Sequence, residues 1–315
     1  SDAGVSAFAF HDTTSAKPHD EWNVHEALDP SKLKGGTREA RDSDAHPNSL
    51  AISVWLDVTG SMSSLPRVVQ QKLPALMSLL LTKGYVEDPA ILYGAIGDAT
   101  YDRVPLQMGQ FESGLEMEDD LGRMILEGGG GGQNTESYEL AMYAMARHTS
   151  IDCFEKRGQK GYCFIVGDEQ PYSSVSKAQV GALIGDSLQD NIPIKTILGE
   201  LQERYHVFFI LPRQASHGSD NIIIGAWREL LGQNVILLDD INTIAETIAA
   251  TIGINEGSVD INVAKAHIAE VTDAKTAEAV GSALVPFAAK VGDLVTSGSA
   301  SGMPSGGSTS DAKRV

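Results

Sequence analysis

The chain has 315 residues, 42% of them hydrophobic, and 42 acidic against 24 basic side chains, which leaves a formal net charge of −18. This length allows one large domain with additional segments, and the mean hydropathy of −0.11 is typical of a soluble globular protein. The negative charge excludes broad binding to nucleic acid backbones and anionic membranes, because like charges repel, and favours cations and basic partners.

The cysteine content and the absence of long apolar segments bear on the compartment. Cys153 and Cys163 are too few for a disulfide framework, and Cys163 lies within an apolar run, so we expect both to be reduced core thiols. No apolar run reaches membrane-spanning length, and the N-terminal sequence lacks the features of a signal peptide. The chain does not start with Met, so a removed leader stays an alternative. These features predict a cytoplasmic protein.

Residues 1–48 are predicted to form an N-terminal arm. They show no sustained periodicity and are rich in Asp, His, Lys, Ser and Pro, and only the stretch from Trp22 to Leu28 could form a short amphipathic turn against the main domain. The histidines of the arm have irregular spacing that matches no metal-ligand pattern, so we assign the arm no chemistry.

The segment 51–63, AISVWLDVTGSMS, is an apolar strand that ends in an acidic and hydroxyl-rich turn. Asp57, Thr59 and Ser61 lie at alternate positions, and Asp57 should emerge at the carboxyl end of the strand, where open parallel sheets bind ligands. One carboxylate and two hydroxyls suit a small hard cation, Mg²⁺ above all. An Asx-turn followed by a serine N-cap is an equally good interpretation of this segment alone.

The next elements continue the alternation of helix and strand. Apolar residues at spacings of four, three and four, from Val69 to Leu80, predict a helix. Residues 90–96 form a second buried strand that ends at Asp98, which we place beside the metal as an acceptor that orients bound water. The alternative is a plain turn at Asp98, because residues 103–108 could return as a short edge strand.

Five consecutive glycines, residues 128–132, precede a strong helical segment at 136–147. So many glycines cost backbone entropy, which a close approach of the main chain to another group would explain. A phosphate-binding loop is disfavoured because no Lys-Ser/Thr pair follows, and a flexible linker is the remaining alternative. Thr135 is predicted to be the N-cap of the helix.

The second half of the chain repeats the same pattern. A third strand at 161–166 ends in Asp168 and Glu169, and further helices alternate with strands at 205–211 and 235–238. His206 and His217 are isolated in the sequence and are interpreted as structural or solvated. The alternation predicts an α/β fold with a doubly wound, mostly parallel sheet and helices on both faces. We divide the chain into the arm (1–48), this domain (49–254), a helical appendage (255–295) and a disordered Gly/Ser-rich tail (296–315).

The motif from Asp57 to Ser61 resembles the Asp-x-Ser-x-Ser motif of von Willebrand factor A-type domains, with Thr59 in place of the first serine. In that Rossmann-like family the motif belongs to a metal-ion-dependent adhesion site, which takes two further ligands from later loops. The resemblance covers about residues 49–254 and assigns these two ligands to Thr135, after the glycine-rich loop, and Asp168, after the central strand.

What the resemblance implies is a metal-dependent protein-interaction module rather than an enzyme. In the family, Mg²⁺ (Mn²⁺ and Ca²⁺ are alternatives) keeps one open coordination position, which a Glu or Asp of a partner protein fills. Ser63, Asp98 and Glu169 would form the rim that selects this partner. Related intracellular proteins act as adaptors, for example by bringing a client to an AAA+ ATPase.

Two other functions stay open at this point. The first is metal-assisted hydrolysis with Asp168 or Glu169 as the base, against which we count the lack of a histidine or lysine placed as the acid. The second is a structural subunit of a larger assembly, in which the arm and the tail link neighbouring subunits. The sequence does not determine the oligomeric state.

Overall fold

A six-stranded sheet lies at the centre of the computed structural model, which describes residues 9–33, 36–114, 116–129, 132 and 134–300, with side chains to residue 292. The strands, in chain order, are β1 (Ser49–Asp57), β2 (Asp88–Ile96), β3 (Leu106–Met108), β4 (Gly161–Val166), β5 (Tyr205–Pro212) and β6 (Val235–Leu238). Their order across the sheet is β6-β5-β4-β1-β2-β3, and all neighbours are parallel except β2 and β3.

Helices connect and cover these strands. Those of the described residues are α1 (Ala9–Ser15), α2 (Leu65–Lys72), α3 (Pro74–Thr82), α4 (Glu116–Arg123), α5 (Tyr138–Arg147), α6 (Asp152–Arg157), α7 (Lys177–Leu183), α8 (Ile194–Arg204), α9 (Asn221–Leu231), α10 (Ile244–Asn255), α11 (Ile261–Val271) and α12 (Ala274–Ala300). Among the described residues, no helix combines the length and the apolarity needed to cross a membrane.

The predicted fold class is confirmed by the way the central strand is covered. Every residue of β1 is buried, α2 and α6 contact this strand, α10 packs on α2 and α3, and α5 packs on α8. Burial on both faces explains why the strand is apolar throughout instead of alternating with polar residues. Cys153 and Cys163 are buried free thiols, as expected.

Two helices differ from the prediction for local reasons. The segment from Val69 to Leu80, expected as one helix, is divided between α2 and α3, because Pro74 lacks the N–H that would continue the first helix and instead opens the second. Helix α5 begins at Tyr138, so Ser137 and not Thr135 is its N-cap residue. The two residues Thr135–Glu136 instead pair in parallel with Gln170–Pro171.

The terminal segments pack on the domain where they are described. Residues Arg38–Ala40 of the arm pair with Thr149–Ile151, and the Arg38 guanidinium donates a hydrogen bond to the carbonyl oxygen of Met108 at 3.0 Å. In α12, Phe287 is buried against Phe208 with ring centroids 5.2 Å apart. Helix α12 continues to Ala300, beyond the predicted boundary at 295, and residues 1–8, 34–35 and 301–315 of the predicted arm and tail lie outside the described residues.

Candidate metal site

Four of the five predicted metal ligands form one hydrogen-bonded chain at the carboxyl edge of the sheet. Asp57, the last residue of β1, accepts hydrogen bonds from the Thr59 hydroxyl at 2.6 Å and the Thr59 amide at 3.0 Å. The Thr59 hydroxyl lies 3.3 Å from that of Ser61, which donates to Oδ1 of Asp168 at 2.7 Å. Asp168 lies two residues after the end of β4, so parallel neighbouring strands bring residues distant in sequence together.

Thr135 reaches this edge through its backbone. It pairs with Gln170, next to the Asp168–Glu169 turn, and the Gln170 amide donates to the carbonyl oxygen of Asn134 at 3.1 Å. The side chain of Thr135 is half-buried, and within the described part of the chain its hydroxyl forms no hydrogen bond to the other four predicted ligands. The structure therefore places Thr135 beside the site without joining it to the chain of oxygens.

The glycine-rich segment packs its main chain against the Asp57 turn, which confirms the predicted close approach. The Gly60 amide donates to the carbonyl oxygen of Gly129 at 2.6 Å, and the Gly128 amide donates to that of Val58 at 2.9 Å. A Cβ atom on Gly60 would lie 2.8 Å from the Gly129 oxygen, which real Cβ atoms do not tolerate. Gly130, Gly131 and Gln133 of this segment lie outside the described residues.

Tyr138 links the ends of β1 and β4 and was not predicted from the sequence. Its side chain is fully buried, and its hydroxyl donates to Oδ2 of Asp57 at 2.5 Å and accepts from the Glu169 amide at 3.3 Å. A Cβ atom on Gly167 would lie 2.2 Å from this hydroxyl, so glycine is required there. Tyr138 thus fixes the Asp57 carboxylate and the Asp168–Glu169 turn relative to each other.

We expect Tyr138→Phe to lower the Mg²⁺ affinity by about 10- to 100-fold, the usual cost of losing a group that orients a metal ligand. The change removes only the hydroxyl, so the ring should keep its contacts with Phe209 and Trp227 and the fold should persist. Calorimetric titration with Mg²⁺ measures the effect. Tyr93→Phe is the matched control, because its buried hydroxyl donates to the carbonyl oxygen of Leu73. Equal affinities of both variants for Mg²⁺ would contradict the role of Tyr138.

The predicted rim residues lie at the same edge in different settings. Asp98 is fully buried just after β2, and the Tyr172 hydroxyl donates to its carboxylate at 3.1 Å. Ser63 is exposed with φ of 53° and ψ of −120°, a conformation that a residue with a Cβ atom rarely adopts. It directly follows the short 3₁₀ turn Gly60–Met62 that carries Ser61. Such strain occurs where surrounding structure enforces it, often at binding sites.

Burial and mutual repulsion raise the pKa values of the carboxyl groups at this edge. Burial raises the pKa of Asp57 to about 7, although hydrogen bonds from Thr59 and Tyr138 oppose the rise. Burial, with repulsion from Asp57 and Asp168, also raises the pKa of Glu169 to about 7. The pKa of Glu136 rises to about 11 through burial and the nearby Asp57 and Glu169. Anions held so close together in a buried site favour either bound protons or a bound cation.

The donor atoms fit a divalent cation. They are carboxylate and hydroxyl oxygens, the ligands that Mg²⁺ and Ca²⁺ prefer. Among the described residues, one carboxylate oxygen each of Glu136 and Glu169 is buried without a hydrogen-bond partner. Unsatisfied buried oxygens are costly in a folded protein, and a cation or ordered water would satisfy them.

His217 belongs to this site, so the prediction that it is isolated was wrong. Its backbone amide donates to Oδ2 of Asp168 at 2.8 Å, and its Nδ1 atom lies 3.5 Å from Oδ2 of Asp168 and from Oε1 of Glu169. The preceding Ser216 donates to the carbonyl oxygen of Ser61 through its amide and its hydroxyl. A histidine therefore lies beside Glu169, one of the two residues considered as the base for hydrolysis. His217 lies in the loop after β5, and no sequence signal places that loop over the site.

Neither a protein-family model nor a curated protein matches the chain. Similar solved structures include the pilus adhesin SpaC from Lactobacillus rhamnosus GG in its open conformation, with 11% identity, a TM-score of 0.47, and coverage of 70% of this chain and 31% of that chain. A von Willebrand factor type A protein from Catenulispora acidiphila has 11% identity and a TM-score of 0.40, with 65% of this chain and 42% of that chain covered.

A third similar structure is proximal thread matrix protein 1 from the mussel byssus, with 11% identity, a TM-score of 0.41, and coverage of 68% of this chain and 49% of that chain. The chain thus spans less than half the length of each of these proteins. Similarity at this level carries no information on chemistry, which rests on the side chains of this protein.

Proposed function

We propose that the protein is an interaction module that binds a divalent cation, Mg²⁺ in the first place, and through it a carboxylate group of a partner protein. Asp57, Thr59, Ser61 and Asp168 would hold the cation, with Thr135 as the fifth ligand. The observation that carries this proposal is the continuous hydrogen-bonded chain of four predicted ligands at the carboxyl edge of the sheet. Mn²⁺ and Ca²⁺ are alternative occupants, since both accept oxygen ligands.

A bound cation would reverse the local charge that a partner meets. With a net charge of −18, the protein repels acidic proteins over most of its surface. A partially neutralised cation supplies a point of attraction for a Glu or Asp side chain, and the buried setting strengthens that attraction. Exposed Ser63 and the buried acids Asp98 and Glu169 would decide which carboxylate fits. Such a site would suit an adaptor that brings a client to an AAA+ ATPase, or a subunit of a larger assembly. We place this function in the cytoplasm, and it involves neither nucleic acid nor a membrane.

Selection of short peptides tests this function directly. We expect that peptides retained by the immobilised protein in Mg²⁺ and released by EDTA share one Glu or Asp, and that its change to Gln or Asn removes binding. Ser61→Ala should capture none of these peptides. Ser53→Ala is the control and should capture all of them, because the buried Ser53 hydroxyl donates a hydrogen bond to the Tyr162 carbonyl oxygen within the central sheet. Peptides without an acidic residue, or retention that survives EDTA, would contradict the proposal.

Metal-assisted hydrolysis is a second candidate because His217 lies beside Glu169. In this reaction Glu169 would accept a proton from the attacking water, and the cation would supply positive charge at the reacting group. Turnover of carboxylic or phosphate esters that disappears in Glu169→Gln would support it. An unreactive panel of such esters, tested in the presence of Mg²⁺ or Mn²⁺, would reject it and leave binding as the function.

A further inference from the structure

The Asp168 carboxylate faces two different groups of donor atoms. Its Oδ1 atom accepts a hydrogen bond from the Ser61 hydroxyl at 2.7 Å, on the side of the proposed magnesium site. Its Oδ2 atom lies on the side of His217, 2.8 Å from the backbone amide and 3.5 Å from Nδ1 of the ring. A carboxylate arranged in this way can bind one cation with each oxygen.

The second group of donors contains buried atoms without hydrogen bonds. Within the described part of the chain, neither Nδ1 of His217 nor Oε2 of Glu169 has a hydrogen-bond partner, and both atoms are buried. Glu169 itself is only 5% exposed. A buried imidazole nitrogen beside two carboxylates would normally donate to one of them, so its lack of a hydrogen bond requires an explanation.

The distances between these atoms match those between the ligands of a metal ion. Nδ1 of His217 lies 3.5 Å from Oδ2 of Asp168 and 3.5 Å from Oε1 of Glu169. Two ligands of a tetrahedral site with metal–ligand bonds of about 2.1 Å lie about 3.4 Å apart. One ligand atom from each of the three residues falls within 4.8 Å of those from the other two. The cluster therefore needs little rearrangement to surround an ion.

Neighbouring hydrogen bonds hold two of the three residues in place. Nε1 of Trp227 donates a hydrogen bond to the carbonyl oxygen of Glu169 at 2.7 Å. Ser216, which precedes His217, donates a hydrogen bond from its hydroxyl to the carbonyl oxygen of Ser61 at 2.7 Å. Metal sites depend on such supporting contacts, because ligands that are already oriented lose less entropy on binding.

We propose that Asp168, Glu169 and His217 form a second cation site, next to the magnesium site and sharing Asp168 with it, that binds Zn²⁺ or a similar transition metal. An imidazole and two carboxylates are typical zinc ligands, whereas Mg²⁺ prefers oxygen alone. Three protein ligands leave the fourth tetrahedral position open to water or to a partner side chain.

Zinc titration of the full-length chain in the presence of excess Mg²⁺ tests the second site. The wild-type protein should bind one Zn²⁺ that Mg²⁺ does not displace, and His217→Gln should lower the zinc affinity by more than about 100-fold, beyond the usual cost of losing a supporting contact. His267→Gln is the control, because His267 lies on α11 and contacts the Tyr85 hydroxyl at 3.1 Å. Replacement of Zn²⁺ by Co²⁺ should give the absorption of a four-coordinate ion in the wild type and in the control alone.

The outcomes separate this proposal from the proposed function. Ser61→Ala should lose Mg²⁺ but keep Zn²⁺, and Glu169→Gln, a second test of the cluster, should lose Zn²⁺. The second site would be overturned if His217→Gln bound Zn²⁺ with the wild-type affinity, or if the wild-type protein bound no Zn²⁺. His217 would then be an ion-pair partner of the two acids. Zinc binding without any Mg²⁺ binding would instead overturn the proposed function and leave the second site intact.

Discussion

Asp57→Asn should give a folded protein that no longer responds to Mg²⁺. Asparagine preserves the shape of the side chain and can still accept a hydrogen bond from Thr59, but it removes the charge that a cation needs. In the wild type, Mg²⁺ at 100 times its dissociation constant should raise the free energy of unfolding by about 2.7 kcal/mol, and in the variant this increase should disappear. Urea unfolding with Mg²⁺ or with EDTA measures both values.

A buried acid elsewhere provides the control for this experiment. Asp120 is almost fully buried and bonds to the Gln110 amide at 3.1 Å and to Arg123 at 3.2 Å, away from the chain of predicted ligands. Asp120→Asn should lower stability but keep the full response to Mg²⁺. An Asp57→Asn protein that is still stabilised by Mg²⁺ would show that the cation binds elsewhere.

Without metal, the free energy of unfolding of Asp57→Asn should rise relative to that of the wild type as the pH rises from 5 to 8. The pKa of Asp57 is about 7 in the folded protein against an ordinary value of 3.8, so the folded state holds this proton more tightly than the unfolded state. Stability from this group is therefore fully present below pH 3.8 and is lost as the pH rises through 7. The difference between the two proteins should grow by up to about 1.4 kcal/mol for each pH unit and level off above pH 7.

The comparison with the variant removes the contributions of other titrating groups. Burial lowers the pKa of His11, His25 and His206, and these groups make both proteins more stable as the pH rises. Their effect cancels in the difference. Glu169, whose pKa is also raised, adds to the loss of wild-type stability and is expected to respond in turn to the charge at Asp57. If the difference in the free energy of unfolding between Asp57→Asn and the wild type stays constant from pH 5 to pH 8, Asp57 carries no unfavourable charge in the folded protein.

The fold, and the position of the acidic residues at the carboxyl edge of the sheet, could be predicted from the sequence because both depend on local patterns. Apolar runs mark strands buried on both faces, and their alternation with helices requires parallel pairing. Parallel pairing in turn places the residues at the carboxyl end of each strand at one edge, which includes Asp57 at the end of β1 and Asp168 shortly after β4. Pro74 was a visible signal for the break between α2 and α3, but the apolar spacing across it favoured a single helix.

The contributions of Tyr138 and His217 could not be predicted because they depend on the paths of loops. Tyr138 is one of several apolar or aromatic residues on α5, and its hydroxyl reaches Asp57 only because the helix starts next to the Thr135–Glu136 pairing. His217 reaches Asp168 because Ser216 bonds to Ser61, a contact between residues 155 positions apart. No periodicity in a single sequence encodes contacts of this kind.

Anomalous diffraction from crystals soaked in Mn²⁺ tests the central claim most directly, because Mn²⁺ accepts the same oxygen ligands as Mg²⁺ and can be located by its own signal. We predict a peak in direct contact with the hydroxyl oxygens of Thr59 and Ser61 and next to the carboxylates of Asp57 and Asp168, with an open side toward solvent. A peak that is absent from this position in a protein saturated with Mn²⁺, or one enclosed on all sides by the protein's own side chains, would contradict a cation-mediated interaction site.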